Sequence, residues 1–116
     1  MHVNVNSDNH IDLKESAVQH WQTEIETGLE RFADWVTRVE VHLTDENSRA
    51  KGGSDDIRCL MEARPANQQP VSIEVRSGSV EQAVYDAINT LERRLGGIAD
   101  KARTQARKRR GPADTE

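Results

Sequence analysis

The chain has 116 residues, 34% hydrophobic and 31% charged, with a formal net charge of −4, which suits one modest core in a single domain. One cysteine, Cys59, excludes an internal disulfide and fits a reducing compartment. No apolar run nears the roughly 20 residues of a membrane-spanning helix, and Met1 to Asn6 lacks the basic-then-apolar pattern of a secretion signal, so the expected location is cytoplasmic.

In chain order, Val3 and Val5 alternate with Asn4 and Asn6, the period-2 pattern of a one-faced strand. Asp12 and Glu15 have the spacing of a capping box, which predicts a helix from that point. Val18, Trp21, Ile25, Leu29, Phe32 and Val36 recur every three or four residues and form its apolar stripe. Its opposite face carries Glu24, Glu26, Glu30 and Asp34. The period then switches to two. Val39, Val41 and Leu43 mark a second strand. Thr44 to Asp56, with Gly52-Gly53, reads as a long loop. Ile57, Cys59, Met61 and Ala63 mark a third strand, and Pro65 to Pro70 is turn material. Val71, Ile73 and Val75 mark a fourth. Ser79 and Gln82 form a second capping box, followed by the stripe Val80, Val84, Ala87, Ile88, Leu91 and Leu95. Gly96-Gly97 interrupts this helix, each glycine costing about 1 kcal/mol relative to alanine. The helix is expected to bend or stop there and resume as a weaker basic segment, with disorder after Arg110.

The order β-α-β-β-β-α predicts an α+β fold. Strands one and two form a parallel pair joined through the first helix, and strands two to four an antiparallel meander. Strands with a single apolar face need cover on one side only. Two helices on that side give a two-layer sandwich over a four-stranded mixed sheet. The other face stays wet and displays His2, Asn4, His42, Arg58, Glu62, Arg64, Glu74 and Arg76.

Charge is placed unevenly. Arg93 to Arg110 holds eight basic residues and one acid, a surplus of seven, so the rest of the chain carries −11. Arg93, Arg94, Lys101, Arg103, Arg107 and Lys108, with Arg109 and Arg110, can neutralise phosphates and release counterions. Arg94, Lys101 and Lys108 are seven apart and share one helical face; Arg103, Arg107 and Arg110 lie on another. A helix charged on two faces suits a polyanionic cleft. The plainer alternative is a solvated tail, or one that folds back on the acidic body. This division predicts a body over residues 1–97 and a basic helical extension with a disordered tail over 98–116.

The ordered segments resemble the ribosome hibernation-promoting factor family, also called ribosome-associated inhibitor A or sigma-54 modulation protein. Leu29-Glu30-Arg31-Phe32 with Val39 to Asn47 is similar to the family's first helix end and second strand. Asp55 to Cys59 with Met61 to Arg64 is similar to its third strand. Ala83 to Asn89, with Leu91 and Leu95, is similar to its second helix. The resemblance covers roughly residues 1–103 and is to the short forms, which lack a C-terminal dimerisation domain. It implies a fold similar to double-stranded-RNA-binding domains. It also implies binding to small-subunit rRNA in the channel of mRNA and tRNA, which silences translation under stress or in stationary phase. The family's basic positions in the second helix fall on Arg94, Lys101 and Arg103, while one arginine position falls on Gly97. In the first helix only Arg31 stands among acids, a departure from the basic residues the family carries there.

Arg31, Arg49 and Lys51 are secondary candidates for phosphate contact. The interleaved Arg58, Arg64, Arg76, Glu62 and Glu74 are explained by cross-strand pairing without a ligand. Trp21 belongs to the core stripe; Trp35 and Tyr85 lie at its edge. His2, His10, His20 and His42 have no metal-ligand spacing, and no nucleophile–base set exists. The chain therefore reads as no enzyme, with no cofactor, metal or small-molecule substrate. A rival reading is a protein-interaction module that meets a basic partner through the acidic first helix. That partner could be another copy's arm, which would give weak homo-oligomers.

Overall fold

The structure is a computed structural model describing residues 1–8, 11–46 and 56–114, with side chains through Lys108. Strand β1 (His2–Ser7) leads to helix α1 (Glu15–Gly28) and a short 3-10 turn (Glu30–Phe32). Strands β2 (Val36–Asp45), β3 (Ile57–Pro65) and β4 (Val71–Ser77) follow, and helix α2 (Val80–Asp114) ends the described chain. The sheet order is β1-β2-β3-β4, parallel between β1 and β2 and antiparallel thereafter. The expected α+β sandwich with a four-stranded mixed sheet is the observed one.

The core lies between the sheet and the helices. Val3, Val5, Val39, Val41, Leu43, Cys59, Met61, Ala63, Val71 and Ile73 face inward from the strands. Trp21, Ile25, Leu29, Phe32, Ala83, Val84, Ala87, Ile88, Leu91 and Leu95 meet them from above. Gly28 brings α1 close to α2, since a Cβ there would overlap the Ile88 side chain. Burial pushes the Cys59 thiol up to about 12, so it sits as a small hydrophobe.

Four local expectations need correction. The Asp12–Glu15 capping box does not form: α1 starts at Glu15 behind an extended Lys14, with no side-chain cap. Ile11 and Leu13 pack against the core, which holds the preceding segment out of the helix. Val36 opens β2 rather than ending a helical stripe, and a register shift between Val36 and Arg38 lets both Val36 and Val39 face inward. Gly96-Gly97 does not interrupt α2. Leu95 is buried and Ile98 and Ala99 pack on the core, and this tertiary anchoring outweighs about 2 kcal/mol of propensity cost. The helix also continues past Arg110 to Asp114. At the second capping box the N-cap bond forms, with Ser79 Oγ accepting from the Gln82 N–H at 3.1 Å.

The open face of the sheet carries the expected polar residues, and Arg58 on β3 pairs across to Glu74 on β4 as expected, but the rest of the pairing differs. Directly opposed residues have like charge: Arg38 faces Arg64, Glu40 faces Glu62, and Arg58 faces Arg76. The ion pairs run instead along strands and diagonally. Arg38 bonds Glu40 at 3.3 Å, Arg64 bonds Glu62 at 3.2 Å, Arg58 meets Glu74, and Arg76 meets Glu46. Desolvation works against the charge on Glu40. Hydrogen bonds from Arg38 and Asn4, with the nearby His42, outweigh it and hold the carboxyl below the usual range.

Candidate functional site

The second half of α2 leaves the body. Ala99 is the last residue packed on the core, and every described residue from Asp100 to Lys108 is exposed. At about 1.5 Å of rise per residue, Lys108 stands about 13 Å further along the axis. That exceeds the Debye length of about 8 Å at physiological salt, so the body's negative charge is largely screened from the arm. The molecule spans 66 Å along its longest axis.

Six candidate cations are described on this helix: Arg93, Arg94, Lys101, Arg103, Arg107 and Lys108, all exposed. Among them only Arg103 has an ion pair, with Asp100 at 3.7 Å, and both side chains are mostly solvated. Such an exposed pair is worth well under about 1 kcal/mol and leaves the guanidinium available. Among the described residues, no carboxylate of the body is paired with the arm.

Two depressions flank the base of the arm. The larger, about 530 Å³, lies between α2 and the β3–β4 turn. Arg94, Ile98, Lys101 and Gln105 line it from the helix, and Gln68, Gln69, Pro70 and Val71 from the turn and strand. The turn is pinned by the Ala66 N–H donating to the Trp35 carbonyl at 2.9 Å, and Asn67 takes a positive φ of 61° there. The second depression, about 470 Å³, is shallower and is lined by Thr90, Arg93, Arg94, Gly97, Ile98 and Lys101. Gly97 has nothing within 4 Å of where a Cβ would sit, so the missing side chain helps open this hollow.

Arg31 is placed differently from the arm. Its Nε donates to Glu92 at 2.7 Å, its guanidinium lies 4.5 Å over the Phe32 ring, and it covers Gly96. A Cβ on Gly96 would overlap that guanidinium, so the glycine makes room for a clamp between the 3-10 turn and α2. Arg49, Lys51, Arg109, Arg110 and His10 lie outside the residues whose side chains are described. Glu26, Glu30 and Asp34 are exposed as expected, but the Glu24 carboxylate accepts from the Tyr85 hydroxyl at 2.6 Å. That bond, with a smaller desolvation effect, raises the Tyr85 phenol above its ordinary value. Trp21 packs edge-on to Tyr85 at 5.4 Å, and Trp35 is half-buried beside Phe32. No cluster of His, Cys, Asp and Glu able to hold a metal exists among the described residues, and no described helix is long and apolar enough to cross a membrane.

The site elements that sequence reasoning missed are Gln68, Gln69 and Gln105. The turn was legible as a turn, but no local pattern says that it ends beside the α2 cations.

A one-faced mixed sheet under two helices, one of them projecting as a cationic rod, defines a small two-layer α+β domain. A profile described as Sigma 54 modulation protein / S30EA ribosomal protein matches residues 3–110, and the chain belongs to that family. Among solved structures it is similar to the Thermus thermophilus Protein Y N-terminal domain, with a TM-score of 0.66 at 14% identity, covering 84% of this chain and 99% of that one. It is also similar to a ribosomal subunit interface protein from Coxiella burnetii, with a TM-score of 0.62 at 12% identity, covering 86% and 99%. No curated protein sequence matches the chain.

Proposed function

We propose that this protein binds the small ribosomal subunit, contacts rRNA in the mRNA/tRNA channel, and silences translation under stress or in stationary phase. The observation that carries this reading is the positive charge of Arg93, Arg94, Lys101, Arg107 and Lys108, without an ion pair among the described residues, on a helix that projects from an acidic body. Family membership supports it. The packed domain through Ala99 acts as the docking body and the exposed helix beyond it as the basic extension. Arg103 contributes through its solvated side of the Asp100 pair. Arg31 serves chiefly as the Glu92 clamp and meets phosphate only at its exposed edge. The protein works in the cytoplasm, without cofactor or small-molecule substrate.

The reading is tested by co-sedimentation with purified small subunits across a salt series. Binding is expected to weaken steeply with salt. The combined change Arg94→Ala, Lys101→Ala and Arg103→Ala is expected to weaken binding throughout and to flatten the log–log slope by roughly one unit for each phosphate no longer neutralised. Unchanged co-sedimentation of that variant would refute the assignment.

A further inference from the structure

We propose that the groove between the β3–β4 turn and α2 is a slot for single-stranded RNA. It holds one or two unstacked nucleotides between Arg94 and Lys101 on the helix and Gln68-Gln69 on the turn. This rests on the ribosome-binding reading above and narrows it from a general polyanion contact to an unpaired strand.

Three chemistries meet in the groove. Arg94 and Lys101 are seven residues apart on one helical face, about 10.5 Å along the axis, and neither is engaged by a carboxylate among the described residues. They are placed for phosphates on either side of a bound nucleotide. Gln68, Gln69 and Gln105 each bring an amide that both donates and accepts, the equipment that reads a base edge, and being uncharged they add nothing to the release of counterions. Pro70, Val71, Ile98 and Ala102 give an apolar floor for a base or ribose.

Size and charge select the occupant. The groove is open to solvent along one side, and its volume of about 530 Å³ has room for one or two nucleotides. A splayed nucleotide fits such a slot, whereas a double helix meets only its rim. No carboxylate lines the groove, although the body as a whole is acidic. Extruded bases in loops and single strands are also where RNA offers sequence-readable edges to protein. The Ala66 N–H bond to the Trp35 carbonyl and the positive φ of Asn67 set the backbone of the turn from which Gln68 and Gln69 project.

The test uses the full chain and fluorescence anisotropy with three probes: a short single-stranded ribo-oligonucleotide, its abasic counterpart, and an RNA duplex of equal phosphate number. The single strand is expected to bind about tenfold more tightly than the abasic strand, reflecting a few amide hydrogen bonds. The combined change Gln68→Ala, Gln69→Ala and Gln105→Ala is expected to erase that preference and leave the salt slope unaltered. Those side chains are exposed, and a circular dichroism spectrum checks that the variant is folded. Arg94→Ala with Lys101→Ala is expected to flatten the slope by roughly 0.7 for each phosphate released from the protein. Equal binding of all three probes, or a glutamine variant that keeps the preference, overturns the slot while small-subunit co-sedimentation stands. Loss of co-sedimentation by the wild-type chain removes both readings.

Discussion

Replacing Gly97 with alanine tests whether α2 is one rod. Gly97 is exposed in the helix interior with nothing within 4 Å of the added Cβ, so the change meets no steric cost. The gain is the glycine-to-alanine difference in helix propensity, about 0.8–1 kcal/mol. It registers in global stability because the buried Leu95 and the packed Ile98 tie this turn to the core. For a chain of this length it corresponds to a Tm increase of roughly 3–6 °C. Gly96→Ala is the matched control. It has the same propensity gain, but the new methyl displaces Arg31 from Glu92 and from the Phe32 ring, so its Tm is expected to stay near wild type. Thermal melts followed by far-ultraviolet circular dichroism read both. A Gly97→Ala protein that melts at or below wild type would mean that the helix bends or ends there in solution, and the continuous rod would be refuted.

Gly28→Ala is expected to destabilise by about 1–3 kcal/mol, since the methyl overlaps Ile88 where the two helices meet; chemical denaturation measures it. Cys59 is expected to resist thiol reagents at neutral pH until the protein unfolds, because its folded pKa of about 12 lies above the ordinary value of 9.0. The folded state therefore favours the protonated thiol, and this contribution is complete below pH 9 and lost as pH rises toward 12. Rapid labelling of the native protein would contradict this placement. Tyr85, the sole tyrosine, should ionise above its ordinary 10.0, and Glu24→Gln should lower that midpoint in an ultraviolet phenolate titration. Here too the proton is favoured in the fold, so the contribution disappears as pH rises through the raised value. Gly97→Arg fills the open position and restores a cation where the resemblance implies one. It is expected to tighten small-subunit co-sedimentation and steepen its salt dependence.

Much of the fold was legible because its signals are periodic. The alternation in Val39, Val41 and Leu43 and the three- and four-residue spacing from Val80 to Leu95 each map onto one buried face. What failed was the reading of boundaries and punctuation, where local signals compete with packing. Asp12 has the right spacing to cap, yet Ile11 and Leu13 are more stable against the core than in a helical turn. Val36 continues a helical spacing by accident, because a register shift in β2 inserts one residue before Val39. Gly96 looks like a breaker, and its use depends on a residue 65 positions earlier, Arg31, which only the fold brings beside it. At the site, the cations were visible as a run. Their division between a groove-facing pair, Arg94 and Lys101, and a projecting set was not, because it depends on where the β3–β4 turn ends. The charge pairing on the open face was likewise hidden, since register alone decides which residues stand opposite one another.

The two borders of the sheet are guarded by different means. At the β1 border, the Gln22 amide of α1 donates to the Val3 carbonyl at 3.1 Å, filling an acceptor that an incoming strand would otherwise use. At the β4 border, Pro70 stands just before the strand and offers no N–H. A sheet whose outer rungs are partly occupied is a poor template for edge-to-edge growth. Of the two borders, the one beside α1 is thus the less open to an added strand.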